Sequence, residues 1–142
     1  MLLAVPVEFP EPQWVEHRDA LPYPWTDMKK LPPMDFVLQE KGTSIYPLID
    51  KLFTESGYKP RRSSYMANSM VAIGAAEKGM GCCFISQAFM SYVHDTDRFR
   101  FYCIGDEECK TVSGLMSLKS RNFTPQEKYC ISLIEKMLQR DN

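Results

Sequence analysis

The sequence predicts an α/β fold, a mostly parallel sheet flanked by helices. Three observations predict it. Short apolar strands alternate with helical segments between residues 35 and 104. Cys82-Cys83-Phe84-Ile85 is apolar without alternation, as in a strand covered on both faces. Ile45, Leu48, Ile49, Leu52 and Phe53 fall at i, i+3, i+4, i+7 and i+8, the stripe of a helix with one buried face. At 142 residues, 44% of them hydrophobic and 25% charged, the chain has the size and composition of one domain or two small lobes with a real core.

Taken in order, Leu2 to Val7 reads as a short strand that ends at or just after Pro6. Residues 8–34 carry Pro10, Pro12, Pro22, Pro24, Pro32 and Pro33, which fix φ and remove donors. The stretch is expected as an ordered connector, with Trp14, Tyr23 and Trp25 as anchors for a neighbouring lobe and a turn of helix near Trp25 to Lys29. Asp35 to Gln39 is a strand. The helix after it takes Thr43 or Ser44 as N-cap, Pro47 in or beside its first turn and Gly57 as C′ residue. Arg62 to Met66 is the next strand, and Asn68-Ser69 caps a helix over Met70 to Lys78 that stops at Gly79 and Gly81. Cys82 to Ile85 follows as a strand, Ser86 caps a short helix reaching Val93, and Phe99 to Ile104 is a strand. A polar turn over Gly105 to Lys110 leads to a longer strand, Thr111 to Lys119. Thr124-Pro125-Gln126-Glu127 is a capping box with proline at the first helical position, opening a helix striped by Cys130, Leu133, Ile134, Met137 and Leu138.

Composition narrows the function classes. The formal net charge is −1, which disfavours nucleic-acid binding by this segment, since duplex binding rests on clustered cations. Lys59-Pro60-Arg61-Arg62, the one compact basic cluster, reads as a solvated turn. Met1 to Val5 lacks a basic flank and is broken by Pro6, so no signal peptide is expected, and no apolar run approaches the ~20 residues that span a bilayer. An odd set of five cysteines (Cys82, Cys83, Cys103, Cys109, Cys130) suits reduced thiols in a cytoplasm. No metal or cofactor is expected, because His17 and His94 are isolated and the cysteines lack ligand spacing. Enzyme chemistry is not expected either. Cys82 and Cys83 lie inside an apolar run, Asp35, Glu40 and Asp50 show no paired arrangement, and Gly79-Met80-Gly81 leaves a helix rather than entering one. Met66, Met70, Met80 and Met90 read as core filler.

Parallel sheets bind ligands outside the carboxyl ends of their strands, where loops lead into helix N-termini. Three such junctions are polar here: Gly42-Thr43-Ser44, Asn68-Ser69, and Ser86 at the end of Phe84-Ile85. Helix starts expose unsatisfied N–H groups and partial positive charge, so converging junctions would suit a carboxylate or another anion. Each junction alone is also what any helix start prefers. Their shared position after successive strands is what suggests a site.

From Pro32 onward the order of motifs resembles the second half of the effector-binding domain of LysR-type transcription regulators. The strand and polar turn over Phe36 to Asp50 resemble that domain's strand and helix, Phe53 to Pro60 its F-x-x-x-G-x-x-P signature, and Asn68 to Gly81 its helix ending in V-x-x-G-x-G. Cys82 to Ser86 stands where the family has an apolar strand ending in L-P, with Ser86 in place of the proline. Leu2 to Pro6 resembles the strand that crosses into the second lobe. The resemblance implies a type II periplasmic-binding-protein-like lobe, with residues 1–10 as hinge strand and first-lobe remnant, 11–104 as second lobe, and 105–142 as hinge return, first-lobe strand and C-terminal helix. It further implies a cytoplasmic sensor whose small effector, with anions among the candidates, lies in an interlobe cleft, against Gly42, Thr43, Ser44, Asn68, Ser69, Phe84, Ile85 and Ser86. DNA would be contacted only through an N-terminal domain missing here, and half a cleft would hold effector poorly. The apolar faces of 111–119 and 124–140 imply self-association. Two other functions compete: a transport-type solute-binding protein of the same broad fold, and a small thiol enzyme.

Overall fold

The computed structural model describes residues 1–105 and 114–140, with side chains described as far as residue 137. The chain divides into two units, Met1–Thr111 and Val112–Asn142. In the first unit the strands are β1 (Leu2–Pro6), β2 (Trp25–Thr26), β3 (Asp35–Gln39), β4 (Arg62–Met66), β5 (Cys82–Ile85) and β6 (Phe99–Ile104), and the helices are α1 (Tyr46–Ser56) and α2 (Ser69–Glu77). They form one six-stranded sheet in the order β2-β6-β1-β5-β3-β4. β3 pairs in parallel with both β4 and β5, and β2 with β6, while β1 runs antiparallel to both of its neighbours. The sheet is therefore mixed, with five strands sharing one direction and β1 reversed between them. The stretch expected as hinge and first-lobe remnant supplies this central strand, which is buried throughout.

Period-two alternation distributes the strand side chains between two cores. On one face Leu3, Val5, Phe36, Leu38, Cys82, Phe84, Tyr102 and Ile104 pack with Ile45, Ile49 and Leu52 of the α1 region and with Met28, Leu31 and Met34 of the connector. On the other, Ala4, Val37, Cys83, Ile85 and Phe99 meet Ala72, Ile73 and Ala76 of α2 and Val93. Two covered faces explain why β5 carries no polar alternation. The β3–β5 seam is tight: a Cβ on Gly81 would lie 2.8 Å from the Asp35 carbonyl oxygen.

The connector folds back onto the β6 edge rather than waiting for another lobe. Trp25 Nε1 donates to the Gly105 carbonyl at 2.8 Å, Tyr23 packs on Phe101, and Trp14 meets Trp25 edge-on at 5.5 Å. The helical turn expected at Trp25 to Lys29 is a strand, Trp25–Thr26, followed by a 3₁₀ turn, Met28–Lys30, because β6 offers Trp25 a partner. The short helix expected after Ser86 is a six-residue 3₁₀ segment, Gln87–Tyr92.

In the second unit, α3 (Pro125–Arg140) starts at the expected capping box. Thr124 N–H donates to Glu127 Oε2 at 2.9 Å and Glu127 N–H donates to Thr124 Oγ1 at 3.3 Å. Tyr129, Leu133, Ile134 and Met137 are exposed on this helix. The strand expected over Thr111 to Lys119 falls partly outside the described residues, and residues 114–119 are not a strand. A strand needs a partner for its backbone groups, and these residues have no strand partner among the described ones.

Candidate functional site at the carboxyl rim of the sheet

Because β3, β4 and β5 run the same way, the turns that follow them leave from one rim. Gly42-Thr43-Ser44 follows β3, Asn68-Ser69 follows β4, and Ser86 follows β5. Hydrogen bonds tie the three together. Glu40 N–H donates to the Met66 carbonyl at 2.9 Å, joining the first two turns. Gln39, fully buried at the end of β3, directs Nε2 to Ser69 Oγ at 3.5 Å and to the Phe84 carbonyl at 3.3 Å, reaching both the second turn and the end of β5. Its Oε1 is buried and accepts no hydrogen bond from the described residues.

The caps differ from expectation in a way that matters for the rim. Asn68 caps α2, its Oδ1 accepting from Val71 N–H at 3.0 Å. Neither Thr43 nor Ser44 caps α1: the N-cap is Ile45, without a side-chain bond, and Thr43 Oγ1 donates instead to the Glu40 carbonyl at 2.9 Å. Pro47 in the first turn needs no acceptor for a backbone N–H, which eases the demand for a cap. Ser86 makes no capping bond either. The hydroxyls of Ser44 and Ser86 are thus free of the structural duty that ordinarily accounts for such residues. Phe84 and Ile85 are fully buried, so they offer the rim backbone alone, and the Phe84 carbonyl is already engaged by Gln39. Ser86 heads only a short 3₁₀ segment, whose dipole adds little beside those of α1 and α2. A hollow of about 380 Å³ lies beside the first turn, lined by Glu40, Lys41, Tyr46 and Tyr65.

Gln39 carries no expectation from the sequence, and Asp35, which reads there as an unpaired carboxylate, is held by two arginines. A lone amide closing an otherwise apolar strand is the signal for the first. Asp35 opens the same strand and is buried; Arg61 grips it through Nε and Nη2, both at 2.7 Å, and Arg62 Nη2 reaches Oδ2 at 2.7 Å. Hydrogen bonds from Arg61 and then Arg62 hold the Asp35 carboxyl far below the usual carboxylate range. Arg61 and Arg62, expected as a solvated turn, are thus anchored ions, though their outer faces are exposed.

The thiols at the sheet centre do not favour nucleophilic chemistry. Burial pushes Cys82 up to about 12 and Cys83 higher still, so both stay protonated near neutrality. His94 is exposed, 3.7 Å from Glu77 through Nδ1. Among the described residues no group of His, Cys, Asp and Glu is placed to hold a metal ion, and no helix is long and apolar enough to cross a membrane. A comparison with models of known protein families finds no match for this chain, and no curated protein matches it either.

Proposed function

We propose that this chain is an effector-sensing lobe of the kind found in LysR-type regulators, binding a small anionic metabolite along the rim formed by residues 42–44, 68–69 and 86. One observation carries the reading: three polar strand-to-helix junctions share a rim, and buried Gln39 bonds to Ser69 in one of them and to the Phe84 carbonyl of the strand that leads into another. The start of α2 brings backbone donors and partial positive charge to that rim, whereas at the start of α1 the Tyr46 and Leu48 N–H groups already donate to the Thr43 and Ile45 carbonyls and Pro47 has none. Ser44 and Ser86, relieved of capping, supply hydroxyls, while Thr43, whose hydroxyl donates to the Glu40 carbonyl, holds the first turn in shape.

The topology supports a type II periplasmic-binding-protein-like lobe. In this reading β1 is the strand that crosses in from the other lobe, which accords with its reversed direction between β5 and β6. In this reading the effector is closed in by a second lobe, DNA is contacted by a further domain, and copies associate through apolar surface such as that of α3. The sensing role is cytoplasmic and non-catalytic.

The experiment is a thermal-shift screen of the whole chain against small mono- and dicarboxylates, at concentrations high enough to saturate the weak site expected of a single lobe, repeated with Thr43→Ala and Ser69→Ala. A ligand at about a hundredfold excess over its Kd stabilises by about 2.7 kcal/mol, a rise of several degrees. The shift should appear in the parent and shrink in both variants. A shift that survives unchanged in both removes these turns from the site and the sensor reading with them.

A further inference from the structure

At the opposite end of the sheet, where β3 and β4 begin, lies a second hollow of about 440 Å³. Its lining includes Asp35, Arg61, Arg62, Ser64, Phe9 and Met80. We propose that it binds a small organic monoanion, a carboxylate carrying an apolar or aromatic body.

Charge and geometry lead there together. Among the described residues Asp35 is the one acidic side chain in the lining, and it is already held by both guanidiniums. Two arginines on one carboxylate leave a single positive charge uncompensated. Their side chains remain 60% and 77% exposed, so N–H donors not used on Asp35 face the hollow and the solvent. An internal carboxylate also fixes both guanidiniums in place, so little side-chain freedom is lost when a second anion arrives. Guanidinium forks match carboxylates in two-point fashion. Phe9 and Met80, the latter half exposed, supply apolar wall, and Ser64 a hydroxyl. The volume falls within the ~300–1,000 Å³ range of small-molecule sites. A dianionic phosphate would leave excess negative charge beside buried Asp35; a monocarboxylate balances the cluster. The site lies across the sheet from the rim described above, so either can fail without the other.

The test is calorimetric titration of the whole chain with phenylacetate, beside inorganic phosphate and uncharged 2-phenylethanol. Two variants accompany it. Arg62→Gln leaves Arg61 on Asp35, and Met80→Glu puts a like charge into the hollow without touching an ion pair. Saturable binding of phenylacetate is expected, weakening with added salt, while 2-phenylethanol does not bind. Each variant should lose about tenfold or more in affinity, the size expected for one charge-assisted contact. The proposal is overturned by absence of saturable binding, by phosphate or 2-phenylethanol binding as tightly, or by unchanged affinity in Met80→Glu.

Discussion

The rim exists only because β5 lies in parallel register against β3, and Gly81 is where that seam is most exposed to perturbation. A Cβ there would lie 2.8 Å from the Asp35 carbonyl oxygen, 2.9 Å from its carbonyl carbon and 3.1 Å from Phe36 N, all backbone atoms and all inside the 3.4 Å at which ordinary contact begins. Gly81→Ala must therefore push the start of β5 away from β3 by about half an ångström, straining the pairing of Phe36 with Cys82. Overpacking of this kind costs about 1–3 kcal/mol. With a urea m-value of about 2 kcal/mol/M, the midpoint should fall by about 1 M. Gly74 is the control. It lies inside α2 with nothing within 4 Å of its would-be Cβ, so Gly74→Ala should raise stability by about 0.5–1 kcal/mol. Urea unfolding followed by circular dichroism reads both. A Gly81→Ala midpoint equal to the parent's would refute the close approach of the two strands.

Three further outcomes are expected. Asn68→Ala should cost about 1 kcal/mol as a lost cap, whereas Ser44→Ala, which removes no cap, should stay within about 0.5 kcal/mol of the parent in the same urea assay. Asp35 has a lowered folded-state pKa, so the stability it supplies is complete above the unfolded carboxylate value of about 3.9 and is lost as pH falls through the folded value. Urea midpoints measured down through the acid range should therefore drop more steeply for the parent than for Asp35→Asn, and parallel curves would contradict the ion-pair cluster. In native protein carrying Cys109→Ser, a thiol reagent should label exposed Cys130 promptly and Cys82, Cys83 and Cys103 only on unfolding; prompt labelling of more than one thiol would contradict the buried sheet centre.

Local signals made much of the fold legible. β3, β5 and β6 occupy the residues expected of them, because apolar content and flanking turn residues mark strands irrespective of their partners; β4, polar and largely exposed, is marked by its flanking turns alone. The box at Thr124 and the left-handed Gly57, with φ of 67°, are likewise local events. What escaped was set by distant partners. Nothing in Leu2 to Pro6 encodes that it runs against its neighbours in mid-sheet. Trp25 extends because β6 is beside it, and residues 114–119 have the composition of a strand without a described neighbour to pair with. The expected site residues were legible as turns following successive strands. Gln39, which links those turns, and Asp35, which anchors Arg61 and Arg62, act across 26 to 45 residues of sequence, beyond the reach of a local pattern.

Whether the carboxyl rim is a binding edge can be read from backbone amide shifts in the ¹⁵N spectrum as the stabilising carboxylate from the screen is added. Saturable shifts are expected at 42–45, 68–71 and 86–87, together with the side-chain amide of Gln39. Shifts confined to other parts of the sheet, with those turns and that amide unmoved, would contradict binding at the rim.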